Sequence, residues 1–463
     1  MSNESSDAPE TAALQLIDEK DLRGSIIRLA WPVVVQQASF AMVQLVDTAL
    51  VGHLGEDSLA GVRLAGLLLW FSMSGMIAVG VGATAVVARL VGSGESRDAS
   101  KVMQTILVLS VAWGLLMMVL MLLFGGWMLG VLGAEPAAQA EGTDYLKGLA
   151  VGLPFFSFVF AGNAAQQGAG DTRSPMVVGL MINVVNAFAS FVLINGSGPF
   201  PELEVLGSGL GFTIAGIVGA LLVTGVLMFG RRSLTWIPFR QGVFNRADAG
   251  RILNVGVPAG LEQAQFNIAF MIYTRVIASL GTTALAAHGV TLAMQTLTFN
   301  IGFALSVATS AIVGQTLGAQ RPDLAEKASY MTMRYSLVFM GVVAVVLMTL
   351  GGQITSIFVG GENSDAVVDI ARQTMFIFAF AMPGLAISLS LSGSLRGAGD
   401  TRAVLYIMAG TTWIVRLVPA YLLAITFGLG VPGAWLAAIA DINVRALIMF
   451  LRFRRGKWKR IKV

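Results

Sequence analysis

The chain repeats itself, and both copies are apolar. Residues 32–61 run from Pro32 through Val46-Asp47-Thr48 to Leu54-Gly55 and Leu59-Ala60-Gly61. Residues 258–287 run from Pro258 through Tyr273-Thr274-Arg275 to Leu280-Gly281 and Leu285-Ala286-Ala287. The offset holds at both ends (258 − 32 = 226; 280 − 54 = 226). A second echo, Gly168-Ala-Gly-Asp-Thr-Arg173, returns as Gly397-Ala-Gly-Asp-Thr-Arg402 at nearly the same distance (397 − 168 = 229). Two related halves predict two related bodies, and in an apolar chain such a repeat marks secondary transporters, whose site lies where the halves meet. The copies differ at a charge: Asp47 in the first stands where the second has neutral Tyr273.

Composition sets the solvent. Hydrophobic residues make up 56% of the chain and charged ones 12%, against roughly 25% charged in soluble domains; the mean hydropathy is +0.76. That charge cannot cover a water-facing surface of 463 residues, so the expected fold is all-α and integral to a membrane. About twenty apolar residues cross a bilayer, and roughly twelve such stretches follow one another between residues 25 and 452, without the alternation a β-barrel requires. The expected organisation is a disordered, uncleaved cytoplasmic tail (1–24) and an N-lobe of six helices (25–230). A cytoplasmic linker (231–251), a C-lobe of six helices (252–452) and a basic cytoplasmic tail (453–463) follow. The first twenty residues lack the basic start and apolar core of a signal peptide.

Lys and Arg orient the spans. With the N-terminus inside, Arg97, Lys101, Arg173, Arg231, Arg232, Arg321, Lys327, Arg396, Arg402 and the Arg/Lys-rich end all fall on the inner side. The outer loops at 195–206 and 353–366 carry no basic residue. The expectation is a multi-pass protein of the cell membrane with both termini cytoplasmic. Its two halves run in the same direction, related by an axis along the membrane normal. The basic residues therefore serve topology, and no nucleic-acid partner is expected.

Several pieces together resemble one family. They are Leu45-Val-Asp-Thr-Ala-Leu-Val-Gly-His-Leu-Gly55, Gly168-Ala-Gly-Asp-Thr-Arg-Ser-Pro175, Gly256-Val-Pro258, Ala286-Ala-His288, Val313-Gly-Gln-Thr-Leu-Gly-Ala319 and Gly397-Ala-Gly-Asp-Thr-Arg402. The chain resembles the multidrug and toxic compound extrusion (MATE) transporters over nearly its whole length. The resemblance implies twelve helices in two lobes around a central cleft, alternating access, and export of organic, usually cationic, compounds driven by inward H⁺ or Na⁺. It makes Asp47 the coupling residue of the N-lobe and maps amides to Asn163, Asn183 and Asn186. Some members carry a second N-lobe acid where this chain has Ser190. Others carry a C-lobe glutamate where it has Phe266, with Glu262 one turn earlier.

The residues make their own argument beside it. A carboxylate in a span is costly in hydrocarbon and must face protein or water. Helical spacing sets Gln44, Phe40 and Gln37 near Asp47 on one stripe, while the equivalent positions of the second half are Tyr273, Phe270, Phe266 and Gln263. An acid-and-amide wall opposite an aromatic wall suits an amphipathic cation. Asp47 has two other readings, a helix-end cap or a partner for Lys147. Asn183, Asn186 and Ser190 share one helix face, as site or as interhelical glue. Glu262 reads as a second proton site, or as a fixed partner of neighbouring amides or of Arg275. Asp441 and Arg445, four apart, and Arg416 read as a buried ion pair with a structural or gating role. Asp171 and Asp400 are expected to cap their turns or to pair with Arg173 and Arg402.

These features predict a secondary antiporter exporting organic, amphipathic cations, driven by H⁺ through Asp47, with Na⁺ the less favoured ion. The alternative is a flippase for lipid-linked or cell-wall precursors, which needs a cationic cleft. A channel gains symmetry by oligomerising and needs no fused, diverged halves. No enzyme is expected, because no nucleophile–base pair, phosphate-binding Gly-Lys motif or metal cluster stands out. The expected partners are a small organic substrate and membrane lipid, with no cofactor, and the chain is expected to act as a monomer.

Overall fold

The computed structural model describes residues 21–196, 199–229, 234–235, 244–358, 364–461 and 463. Most of the expected tail (1–20) and of the linker (231–233 and 236–243) lies outside the described residues. Asp21 opens the first helix by capping it, its carboxylate accepting from the Gly24 amide at 2.8 Å. That helix, α1 (Leu22–Gly52), leads to α2 (Glu56–Gly92), α3 (Ser96–Val131), α4 (Pro136–Ala150), α5 (Leu153–Gly168), α6 (Arg173–Ile194) and α7 (Glu204–Phe229). The second half holds α8 (Arg246–Ala278), α9 (Thr282–Gly318), α10 (Pro322–Phe358), α11 (Ser364–Ala379) and α12 (Met382–Gly397). It ends with α13 (Thr401–Thr426) and α14 (Gly430–Arg454). Helix therefore begins at Leu22 rather than near 25, and α8 begins at Arg246, inside the stretch read as linker.

The repeat is visible in the backbone. The fourth span of each half is a bent pair and not the single straight helix expected: α4 and α5 meet at 54°, α11 and α12 at 53°. Each bend has a proline in the first turn of its second helix, Pro154 and Pro383, separated by the offset of the loop motif (383 − 154 = 229). A proline there lacks only an N–H that the helix start leaves unbonded. The α1–α2 and α8–α9 turns pass through Gly55 (φ +128°) and Gly281 (φ +105°), again 226 apart (281 − 55 = 226). A side chain is strained in that region of φ, which accounts for glycine at both places.

Nine described helices are long and apolar enough to cross a membrane, and the two bent pairs bring the number to eleven. The twelfth is α8, whose length of 33 residues suffices but whose apolar run is cut by Glu262, Gln263, Gln265 and Asn267. Phe229, Phe188 and Tyr406 are more than 70% exposed, and a surface so rich in large apolar side chains belongs against lipid. The fold is thus all-α, with twelve spans in two six-span lobes.

The lobes meet along α2 and α8. A Cβ on Gly82 would run into the Ile252 carbonyl, and one on Gly256 into that of Ala78, so the two backbones touch where no side chain fits. On the symmetric side Leu22, Ile26, Leu29 and Ala30 of α1 pack against Ala308 and Ile312 of α9. At that end of the molecule Gln315 donates to the Gly168 carbonyl at 2.8 Å, and Arg89 donates to the carbonyls of Ile461 (3.0 Å) and Ala398 (3.4 Å). The basic segment after α14 is not a free tail. Trp458 is fully buried and stacks on Phe453 at 4.7 Å, and Lys459 bonds Glu326 at 2.5 Å.

Candidate functional site

Asp47 is half-buried in α1, five residues before the helix ends (52 − 47 = 5). It is neither an end cap nor the partner of Lys147, which pairs with Asp144 on its own helix at 2.7 Å. Across from it lies Asn186 of α6, its amide assigned with the nitrogen toward the acid because that orientation gives both ends a partner. Asn186 then donates to Oδ2 at 3.1 Å and Oδ1 at 3.3 Å and accepts from the Phe212 amide at 3.2 Å. No cation pairs with Asp47 among the described residues. One turn earlier on α6, Asn183 donates to Ser39 of α1 at 2.7 Å. Two amides one turn apart on α6 thus hold α1, and one of them holds the acid.

The other predicted N-lobe residues do not all converge. Ser190 is fully buried without a hydrogen-bond partner, packed where Gly211 of α7 leaves room for it. Asn163 is buried in α5 with an unpartnered Oδ1. Gln37 is half-buried, whereas Phe40 and Gln44 are exposed; the Gln44 carbonyl accepts from Thr48 at 2.7 Å. On α1, Asp47 is thus turned to α6, while Gln44 is exposed.

The C-lobe differs from the reading more sharply. The Glu262 carboxylate is held not by Arg275 but by Arg396 of α12, which donates to its Oε1 at 2.6 Å, while the neighbouring Gln265 amide donates to the Glu262 carbonyl at 3.0 Å. Gln263 donates to Asn267 at 3.0 Å. Tyr273 does not stand on a cleft wall. It is 2% exposed inside the C-lobe core, edge-on to His288 at 5.8 Å and beneath the Arg416 guanidinium at 5.8 Å. The expected ion pair is a triad. Asp441 accepts from Arg416 Nε at 2.8 Å and from Arg445 at 2.7 and 2.6 Å, all buried. Arg445 is completed by Thr411 (3.3 Å) and Thr412 (3.1 Å).

The repeated loops resolve into two different devices. Asp171 caps α6, accepting from the amides of Arg173 (3.2 Å) and Ser174 (3.1 Å) and from the Ser174 hydroxyl (2.6 Å). Asp400 pairs with Arg452 of α14 at 2.8 Å, while Arg402 donates to Asn254 at 2.7 Å. Asp171 thus meets the arginine of its own motif through that residue's backbone amide, whereas Asp400 pairs with an arginine of another helix. Arg396 and Arg89 are not legible as partners in the sequence, since nothing in their own segments names the helix each one meets.

Two six-span lobes related by an internal repeat, with an acid inside one of them that pairs with no cation among the described residues, define a multi-pass membrane transporter. The MatE family model matches residues 32–192 and 258–422, one match on each copy of the repeat, and the chain belongs to that family. It is 27% identical over 442 residues to a probable multidrug resistance protein, NorM, of Thermotoga maritima, covering 95% of this chain and 94% of that one. Its fold matches that of a MOP superfamily transporter from Pyrococcus furiosus with a TM-score of 0.89, at 21% identity over 99% of this chain and 100% of that one. An outward-facing multidrug resistance MATE transporter matches at 0.88, also at 21% identity, over 99% of this chain and 100% of that one.

Proposed function

We propose that the chain is an antiporter that exports organic, amphipathic cations from the cell across the cytoplasmic membrane in exchange for inward H⁺, with Asp47 as the coupling group. One observation carries the reading: Asp47 lies within the N-lobe with the Asn186 amide donating to it and, among the described residues, no cation to hold it ionised. Such a carboxyl can exchange a proton with water admitted from either side. Ser190, where a second acid would assist Na⁺, is neutral and buried. Gaining the proton removes the charge that Asn186 donates to, which loosens α1 from α6 at that contact and lowers affinity for a bound cation. An inward proton moving through 100 mV releases about 2.3 kcal/mol, which sustains roughly a fiftyfold gradient of a neutral solute. The chain acts as a monomer in lipid, with both termini cytoplasmic.

Ethidium transport in proteoliposomes tests this. Wild type moves the dye uphill against an opposed pH gradient, with Na⁺ replaced by choline. Asp47→Asn abolishes the uphill movement while the protein still inserts and purifies. Uphill transport that persists in Asp47→Asn removes Asp47 from coupling, and transport that needs Na⁺ and ignores pH removes the proton.

A further inference from the structure

The first turn of α6 carries a cation that the fold does not use. Arg173, the last residue of the first Gly-Ala-Gly-Asp-Thr-Arg loop, is exposed, and among the described residues its guanidinium makes no hydrogen bond or ion pair. It lies over the ring of Trp31 on α1, 6.0 Å from the ring centre. The second copy of the motif behaves differently, because Arg402 is tied to Asn254 at 2.7 Å. Arg28 stands one turn before Trp31 on the same face of α1 and bonds the Ser25 hydroxyl at 3.4 Å. The acids of these two segments are occupied as caps. Asp21 accepts from the Gly24 amide, and the buried Asp171 accepts from the amides of Arg173 and Ser174 and from the Ser174 hydroxyl.

A cleft of about 290 Å³ runs from this arginine along the protein surface. Arg173 and Ser174 line one part of it, and the rest is apolar: Val177 and Val178 of α6, Leu222 and Val226 of α7. The cleft opens toward lipid. Val177, Met181, Val184, Phe188 and Phe191 recur every three or four residues along α6 and are 45–71% exposed, a continuous apolar stripe that belongs against acyl chains. Trp31 is 41% exposed, and tryptophan with arginine at a helix end is the composition of a membrane–water boundary. The cleft therefore has the polarity of one lipid molecule, charged at the boundary and apolar below it.

We propose that this cleft binds one anionic phospholipid, its phosphate held by the Arg173 guanidinium and an acyl chain laid along Val177, Val178, Leu222 and Val226. An arginine fork matches two phosphate oxygens with two parallel N–H···O bonds. Net negative charge is selected because the cations Arg173 and Arg28 stand at the boundary, whereas the two caps leave no carboxylate free to meet the amine of a zwitterionic headgroup. With both termini cytoplasmic, this end of α6 meets the inner leaflet, where basic pockets between spans take such headgroups. The site does not depend on proton coupling at Asp47.

The test titrates the full chain, purified and delipidated in detergent, with dioleoylphosphatidylglycerol or dioleoylphosphatidylcholine and counts bound lipid by native mass spectrometry. The expected result is one phosphatidylglycerol bound severalfold more tightly than phosphatidylcholine. Arg173→Gln, at an exposed position, raises the phosphatidylglycerol Kd severalfold and brings it level with that of phosphatidylcholine. Val177→Trp, which keeps the arginine and fills the cleft, also raises it severalfold. Arg402→Gln, which removes the equivalent charge of the other loop, leaves it unchanged. Inorganic phosphate, added at constant ionic strength, does not displace the lipid. Equal affinity for the two lipids, or a phosphatidylglycerol Kd unchanged in Arg173→Gln, overturns the proposal. So does displacement by inorganic phosphate or a Kd unchanged in Val177→Trp, since either takes the acyl chain out of the cleft.

Discussion

Removing the Asp441 carboxylate should destabilise the C-lobe more than any apolar truncation of similar size. Asp441 is 0% exposed and accepts three short bonds from two arginines, at 2.8, 2.7 and 2.6 Å. A hydrogen bond to a charged group contributes about 1.5–3 kcal/mol, but three bonds on one carboxylate are not additive. The better guide is the cost of breaking one partner out of a buried ion pair, about 3–5 kcal/mol. Asp441→Asn removes the negative charge and leaves both guanidiniums buried, so it belongs at the upper part of that range. At about 1.4 kcal/mol per decade this shifts the unfolding equilibrium by roughly 10²–10⁴. The assay is equilibrium unfolding of the detergent-purified chain, followed by helical circular dichroism, in a cycle with Arg445→Met. In the Arg445→Met background the same Asp441→Asn change should cost less, because one of the two stranded cations is gone. Replacing all three residues by apolar ones should recover much of the loss, since such swaps are often neutral. An Asp441→Asn protein as stable as wild type, or a loss that is equal in both backgrounds, refutes the triad as a coupled charge network.

Two further outcomes follow from the closed end of the molecule. Arg89→Ala deletes the N–H donors to the Ile461 and Ala398 carbonyls that tie α2 to the opposite lobe. The chain has no cysteine, so a single A398C substitution, at a fully buried position, should react faster with a polar maleimide when Arg89→Ala is also present. Trp458→Ala empties the site of a fully buried indole and should cost about 3–5 kcal/mol, read as a lower midpoint in thermal unfolding; an unchanged midpoint would mean that the final segment is merely laid on the surface.

The large-scale fold was legible because it rests on signals carried within one segment. Twelve apolar stretches and a repeat at 226–229 residues define two six-span bodies whatever the side chains meet. Even the paired bends were readable in retrospect, since Pro154 and Pro383 stand one repeat apart. What escaped is pairing between segments. Arg396 counts toward topology as an inner base, yet it reaches back to bind Glu262. Tyr273 misled for the opposite reason. The repeat equates its backbone position with that of Asp47 but says nothing of its neighbours. Those neighbours, His288, Arg416 and Trp435, have no counterpart in the first half to which the analogy could hold.

The asymmetry seen first as a single substitution in the repeat is therefore larger than one residue. The N-lobe interior holds a carboxylate with amides around it, and the C-lobe interior holds three arginines with two acids. Had the halves diverged only to vary the lining of a cleft, Tyr273 would face that cleft and the C-lobe core would be as neutral as its packing allows. Instead Tyr273 lies in the C-lobe core beneath Arg416, which stands on a π-helical turn and pairs with Asp441. The two lobes thus differ in how their charges are held: those of the C-lobe pair with one another, whereas Asp47 has an amide for its partner, so a proton gained there should change the cost of wetting the N-lobe alone.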